Sequence, residues 1–425
     1  MSNMNRRSFI GLLGAAAGLG LAGAPAIASA AELLPKKGRR VVVVGGGYGG
    51  AIAAKHIRLH DPSIEVVLIE RNRSFVSCPF SNLVVGGFRD IRDNTIAYDK
   101  LAANHGIHVV YDEVTAIDTA ARKVVVSGGS LGYDRLVLSP GIDFRFEEIE
   151  GYDPVETPRL IPHAWKAGEQ TLLLRRQLVD LPKGGTVVMS IPLAPFRCPP
   201  GPYERISMMA WHLKHHNPGA RIIVLDANPD IVSKGALFRK AWEKHYQGMI
   251  DYRSGSRVLK VDGRKRSVDN GVEEIRGDLV NLVPPQKAGL VAHRAGVVGE
   301  DGKWCPVDPL SFESTLVKGV HVIGDACMAG AMPKSGYSAN SQAKVCATNL
   351  VRLMNGQELV DPSHANVCYS YVTEREAISV AFVYKVEGGK TVAVPDSGGV
   401  SPDLSEEEAV YAQSWIRNIL HEMST

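Results

Sequence analysis

Cysteine pairs at haem- or metal-binding spacing are missing from this sequence of 425 residues: neither C-x-x-C nor C-x-x-C-H occurs in it. Thioredoxin-type dithiol chemistry and covalent haem on this chain are therefore unsupported, and no metal site is expected. Charge of one sign is scarce as well. The 48 basic and 45 acidic residues give +3, and setting aside residues 1–30 with Arg6 and Arg7 leaves 46 against 45. A near-neutral chain has no general attraction for nucleic acid or anionic lipid. Beyond residue 30 no apolar run approaches the ~20 residues needed to span a bilayer. What remains is an ordinary globular composition, 45% hydrophobic and 22% charged, long enough for two or three domains.

The first thirty residues read as an address. "NRRSFIGLLGAAAGLGLAGAPAIASA" sets the twin arginine Arg6-Arg7 before Ser8-Phe9, then a Gly/Ala-rich apolar stretch and the small-residue site Ala28-Ser29-Ala30. This resembles a twin-arginine export signal, the route that carries folded, cofactor-loaded proteins. A membrane anchor is disfavoured by the mild hydrophobicity and the Ala-x-Ala ending. The expectation is a soluble periplasmic protein. All six cysteines lie in the mature part, where an oxidising compartment lets disulfides persist.

"RRVVVVGGGYGGAIAAKHIRLHDPSIEVVLIE" carries the strongest local signal. A β-branched run, Val41 to Val44, enters glycines and then a helical pattern, and a second apolar strand ends at Glu70. Gly45-x-Gly47-x-x-Gly50 supplies a tight turn, close backbone approach to a pyrophosphate, and close helix–strand packing. Glu70 sits where a carboxylate accepts hydrogen bonds from ribose hydroxyls. Two later strands fit the same unit: "YDRLVLSPG", closing at Gly141, and "GVHVIGDACMAG", ending in Gly324-Asp325. Together the three segments resemble the two-dinucleotide-fold flavoproteins, which implies that Asp325 binds the FAD ribitol and phosphate region. The plainer alternative for Asp325 is a helix cap or turn acid.

A second α/β unit follows: a strand over 186–190, a helix over 203–216 and a strand over 221–225. Its first turn, Ile191 to Pro200, has prolines where users of NAD(P)H have glycines. Proline has no N–H to offer a phosphate, so electrons are expected from a donor other than a nicotinamide. From about Gly356 the composition shifts. Ser405-Glu406-Glu407-Glu408 forms a capping box before Val410, Trp415, Ile416, Ile419 and Leu420 at helical spacing; its acidic flank favours packing on its own protein over docking on a membrane. The expected fold class is α/β. Two Rossmann-like units, the FAD-binding one split between 31–150 and 291–355 around 151–290, precede an α+β domain over 356–425.

Longer strings are more specific: "SCPFSN", "GYDPVETPRLIPHAWKAGEQT", "APFRCPPGPYERIS", "NLVPPQKAG", "WCPVD", "GDACMAGAMPKSGYSANSQAK" and "NVCYS". On these the chain resembles the flavoprotein subunit of flavocytochrome c sulfide dehydrogenase over its whole mature length. The resemblance implies FAD held through a thioether at Cys78. The family string there reads Cys-x-Leu-Ser-Asn, and Pro79 and Phe80 depart from it. It also implies a redox disulfide between Cys198 and Cys368, oxidation of sulfide to sulfur or polysulfide, and transfer of electrons to a c-type cytochrome subunit. On the residues alone the same cysteines suit a structural staple equally well. Glu204 fits a proton acceptor or donor near the thiols, or a helix-first-turn acid. Lys334 and the helix after it are expected to favour negative charge on reduced flavin, the alternative being a solvated lysine. A sulfide:quinone reductase and a non-catalytic flavin carrier are the rival functions.

Overall fold

The structure of the protein is a computed structural model, of which residues 31–425 are described; the twin-arginine segment lies outside the described residues. The valine run forms strand β1 (Arg40–Val44), buried at every position. After the glycine turn come helix α1 (Gly50–His60) and strand β2 (Glu65–Ile69). α1 buries Gly50, Ala51, Ile52, Ala53, Ala54 and Ile57, mostly small side chains that let a helix lie close to its neighbours. A short helix α2 (Ser81–Gly86) carries the end of the "SCPFSN" string, followed by strands β3 (His108–Val110) and β4 (Arg135–Leu138).

The chain then leaves this unit along Ile142–Phe144, which pairs antiparallel with the returning passage Gln286–Ala288. Between the two passages lie β5 (Thr186–Ile191), α3 (Gly201–His216), β6 (Arg221–Asp226), α4 (Gly235–His245), β7 (Ile250–Arg253) and β8 (Leu279–Leu282). They build a parallel sheet in the order β7-β6-β5-β8. α3 begins at Gly201, two residues before the expected start, because Pro202 is tolerated in a first turn where its missing N–H has no partner to lose.

After the return, β9 (Val320–Val322) completes the first sheet, whose order is β9-β4-β1-β2-β3 with every pair parallel. Such sheets are covered on both faces, and helix α5 (Gly336–Met354) packs against α1. The remaining residues form an antiparallel sheet of β10 (Ser363–Tyr371), β11 (Ala377–Glu387) and β12 (Lys390–Ala393), followed by helix α6 (Glu406–Ser424). Ser405 caps α6 by accepting from the Glu408 N–H at 3.2 Å. The buried stripe of α6 is Ala409, Ala412, Ile416, Ile419, Leu420 and Met423. Val410, expected in that stripe, is 63% exposed, since it lies one position, about 100° of helix, away from Ala409. No helix among the described residues is long and apolar enough to cross a membrane, and no cluster of potential metal ligands occurs among them.

Candidate active site

One cleft of about 880 Å³ runs from the glycine turn to the antiparallel sheet, within the size range of cofactor sites. At one end Gly45 has φ +98, and a Cβ there would lie 2.3 Å from the Ser139 carbonyl oxygen. Gly47 lines the cleft with only Phe75 near its missing Cβ, at 3.5 Å. Gly50 does not line it; a Cβ there would lie 1.7 Å from the Gly45 oxygen. Thus the first glycine makes the turn, the second leaves backbone open to a ligand, and the third seats the helix. Glu70 lines the cleft and accepts from the Gly46 N–H at 2.8 Å and the Asn72 N–H at 2.9 Å, which aims its carboxylate beside the turn. Gly141, at φ +65, lines the same wall.

Asp325 sits midway. Its side chain is enclosed, burial holds its carboxyl above the usual range, and Oδ1 has no hydrogen-bond partner. A buried carboxylate oxygen without a donor is unfavourable, and a hydroxyl-bearing chain lying in the cleft would remove that penalty. With the open glycine turn at one end, this orphaned acceptor makes the residues present fit FAD.

Lys334 is placed otherwise than expected. Its ammonium donates to the carbonyls of Asp325 at 2.8 Å and Cys327 at 2.9 Å and lies 3.8 Å from the Trp304 ring centre. Its side chain does not line the cleft. The carbonyls and the indole face satisfy the cation locally, so Lys334 braces the Asp325 turn. The start of α5 does line the cleft, at Gly336, Tyr337 and Ala339, with Ser335 as its cap.

The far end carries three of the six thiols. Cys78 lines the cleft, with Sγ 3.8 Å from the Trp165 carbonyl. Phe80, two residues on, has φ +68, and its ring meets Tyr371 edge-on at 5.5 Å. Cys198 and Cys368 both line the cleft, and both are free thiols here. Cys198 has φ +58, its N–H donates to the Lys334 carbonyl at 2.7 Å, and its own carbonyl accepts from Gly201 at 2.8 Å. That pins the thiol one turn before α3. Cys368 comes from β10, paired with Val380 of β11. Burial raises both thiols, and Cys198 lies within the field of Cys368. Cys305, Cys327 and Cys346 are buried elsewhere.

Glu204 also reaches this end. It is 5% exposed and accepts from Asn82 Nδ2 at 2.7 Å and from the Tyr371 N–H at 2.9 Å. Burial raises its carboxyl above the usual range despite those donors, which favours its protonated form relative to an exposed glutamate. Arg205, its neighbour, is an anchor. It donates to Asn82 Oδ1 at 2.9 Å and to the carbonyls of His163 at 3.0 Å and Ala164 at 2.6 Å, and lies over the Trp165 ring.

Sequence reasoning missed three residues. Asn82 bridges Glu204 and Arg205. Arg197 donates to the Trp165 carbonyl and lies 3.9 Å from Asp325. Lys234 is buried beneath Cys368 with φ +56. Asn82 and Arg197 stand inside the distinctive strings, which was the available signal; Lys234 had none. Of the eight non-glycine residues with positive φ among the described residues, Phe80 and Cys198 line this end of the cleft and Lys234 contacts the Cys368 carbonyl. Strained backbone gathered in this way marks functional sites.

Residues 39–172 match the family model "Pyridine nucleotide-disulphide oxidoreductase". Residues 171–284 match "Sulfide dehydrogenase [flavocytochrome c] flavoprotein chain, central", and residues 360–423 match "Flavocytochrome c sulphide dehydrogenase, flavin-binding". A stretch of 46 residues is 63% identical to the sulfide dehydrogenase [flavocytochrome c] flavoprotein chain of Chlorobaculum thiosulfatiphilum, covering 11% of this chain and 96% of that sequence. Over 354 residues the chain is 27% identical to the sulfide-quinone reductase of Aquifex aeolicus (strain VF5), covering 78% of this chain and 80% of the relative. The solved sulfide:quinone oxidoreductase from the hyperthermophilic bacterium Aquifex aeolicus superposes with a TM-score of 0.76 at 19% identity over 91% of each chain, a likeness of fold.

Proposed function

Because the chain belongs to the flavocytochrome c sulfide dehydrogenase flavoprotein family, a family of FAD-dependent sulfide-oxidising oxidoreductases, we propose that it oxidises sulfide through a Cys198–Cys368 redox disulfide and passes the electrons to a c-type cytochrome subunit. The observation that carries this is the meeting of Cys78, Cys198, Cys368 and Glu204, from separate segments, at one end of the cofactor cleft. FAD takes electrons as a pair and releases them singly. Its thioether partner is Cys78, and the site of action is the periplasm, to which the twin-arginine segment points.

The chain's own residues perform the sulfur chemistry. Hydrosulfide is a strong nucleophile and attacks one sulfur of the disulfide, releasing the other as thiolate. Glu204, held toward its protonated form by burial, exchanges the proton of incoming hydrogen sulfide or of the departing thiol. Arg197 and the Lys334 carbonyl hold the Cys198 loop in place. The haem belongs on a separate chain, since this one has no attachment sequence.

The test is anaerobic. Sulfide should bleach the flavin of the purified protein, and Cys198→Ser, Cys368→Ser and the double variant should retain flavin and fold while sulfide-driven reduction falls by orders of magnitude. A structural staple gives the opposite pattern, a lower melting temperature with near-normal turnover, and preserved turnover in the double variant ends the proposal. A quinone acceptor is the second reading, supported by the likeness to sulfide-quinone reductase over most of the chain. Reduction of a quinone in preference to a c-type cytochrome would favour it.

A further inference from the structure

Lys234 is 6% exposed and forms no salt bridge within 4 Å among the described residues. It precedes α4 in the left-handed region, at φ +56, where a lysine is held only if its surroundings require it. All three of its ammonium protons are directed at neutral acceptors: Ser370 Oγ at 2.8 Å, the Cys368 carbonyl at 3.3 Å and the Ile378 carbonyl at 3.4 Å. These acceptors straddle β10 and β11 beside the Cys368↔Val380 and Ser370↔Ile378 pairs. Neutral acceptors solvate a buried cation without cancelling its charge, so its field falls on whatever acidic group lies near.

The ionisable groups facing Lys234 are Cys368 on β10, Glu204 on α3, Cys198 in the loop before α3, and Glu408 on α6, with Glu408 acting least. Burial lowers Lys234 itself to about 8, so the ammonium is largely charged at neutral pH. The two thiols answer to it unequally. For Cys198, burial, the Cys368 charge and the Glu204 charge all oppose ionisation, with Lys234 and Arg197 the weaker offsets. For Cys368, burial opposes ionisation and Lys234 is the leading offset, joined by the polar contacts of Cys368 with Ser335 and Asn366, with Glu204 a lesser opponent. The Cys368 thiol lies 3.6 Å from Asn366 Oδ1, which also accepts from Ser335 Oγ at 2.6 Å.

We propose that Lys234 is a positioning residue for the disulfide reaction: its buried ammonium is the counter-cation of a Cys368 thiolate, so that Cys368 is the leaving sulfur and Cys198 the sulfur that receives the substrate. The inference rests on the redox-disulfide function proposed above. In the step it describes, HS⁻ attacks Sγ of Cys198, a new S–S bond forms, and the Cys198–Cys368 bond breaks. The bond's electron pair remains on Cys368 Sγ. The products are a Cys198 persulfide and a Cys368 thiolate beside Lys234. One negative charge enters and one leaves; the sulfide sulfur is oxidised by two electrons and the disulfide is reduced by two.

The measurement is the pH dependence of iodoacetamide alkylation of each cysteine in the reduced holoprotein, mapped by peptide mass, for wild type, Lys234→Met and Lys234→Arg. In wild type the Cys368 midpoint should lie below that of Cys198. Lys234→Met should raise the Cys368 midpoint by a pH unit or more, slowing its alkylation at neutral pH about tenfold, and Lys234→Arg should restore it. Adding one equivalent of sulfide to the oxidised protein and alkylating at once should place the extra sulfur on the Cys198 peptide. An unchanged Cys368 profile in folded Lys234→Met overturns the proposal, as does an extra sulfur on Cys368. If Lys234→Met does not fold, wild type decides, because a Cys198 midpoint at or below that of Cys368 is enough to reject the assignment. Absence of any Cys198–Cys368 disulfide in the oxidised protein would instead reject the functional reading, while the alkylation profiles would still report on Lys234.

Discussion

Asn82 Nδ2 donates to the Glu204 carboxylate at 2.7 Å, joining the turn that carries Cys78 to the helix that follows Cys198. The same amide donates to the Gly201 carbonyl at 3.0 Å and accepts from Arg205 Nε at 2.9 Å. Asn82→Ala leaves buried polar groups on Glu204 and Arg205 without a partner. Each orphaned group costs about 1–3 kcal/mol, so a loss of about 2–4 kcal/mol is expected in chemical denaturation. A change under about 0.5 kcal/mol would mean that the bridge contributes little.

Cys78 should keep its flavin through acid precipitation, with the modified peptide identified by mass. Cys78→Ala should still bind FAD through the glycine turn and Asp325 but release it on denaturation. Free flavin recovered from denatured wild-type protein would show that no bond is made across Pro79 and Phe80.

NADH and NADPH should neither bind tightly nor bleach the flavin under anaerobic conditions. The segment after β5 offers Pro192 and Pro195, and they line a space of only about 180 Å³, too small for a dinucleotide given the usual pocket range of about 300–1,000 Å³. Rapid bleaching by either nucleotide would refute this.

His364 is 1% exposed, neither ring nitrogen has a partner, and burial lowers its pKa to about 4. Its folded pKa therefore lies below the ordinary 6.5. Between those values the unfolded chain binds a proton that the folded one refuses, so the stability present above pH 6.5 is lost as pH falls toward 4, by roughly 3 kcal/mol at most. His364→Leu should raise the melting temperature, and more at pH 5 than at pH 8. An equal shift at both values would remove His364 from the acid sensitivity.

The glycine turn, Glu70 and the strands flanking them were legible because their signal is local: a β-branched run, glycines at fixed offsets, an acid at the next strand end. Cys198 and Cys368 lie far apart in the chain, and on their residues alone a staple and a redox pair could not be separated; the proposed redox role rests on whole-chain resemblance. Lys334 went astray because Trp304, thirty residues earlier, supplies a face for its ammonium that no neighbour in sequence announces. Lys234 left no trace at all. Ser233-Lys234-Gly235 reads as an exposed loop before a helix, and its burial comes from β10 and β11, more than a hundred residues later.

The cleft's walls are also ordered in time. A growing chain that has emerged as far as residue 355 holds the glycine turn, Asp325, Cys78 and Cys198, but none of Cys368, Tyr369 or Trp415, which line the other side. Until β10 and α6 fold onto the first two units, any flavin in the groove lies open along one flank and the thiol pair is incomplete. Firm retention of the cofactor is thus tied to residues 356–425, which leave the ribosome after both α/β units, and a polypeptide stalled before β10 has only an open groove.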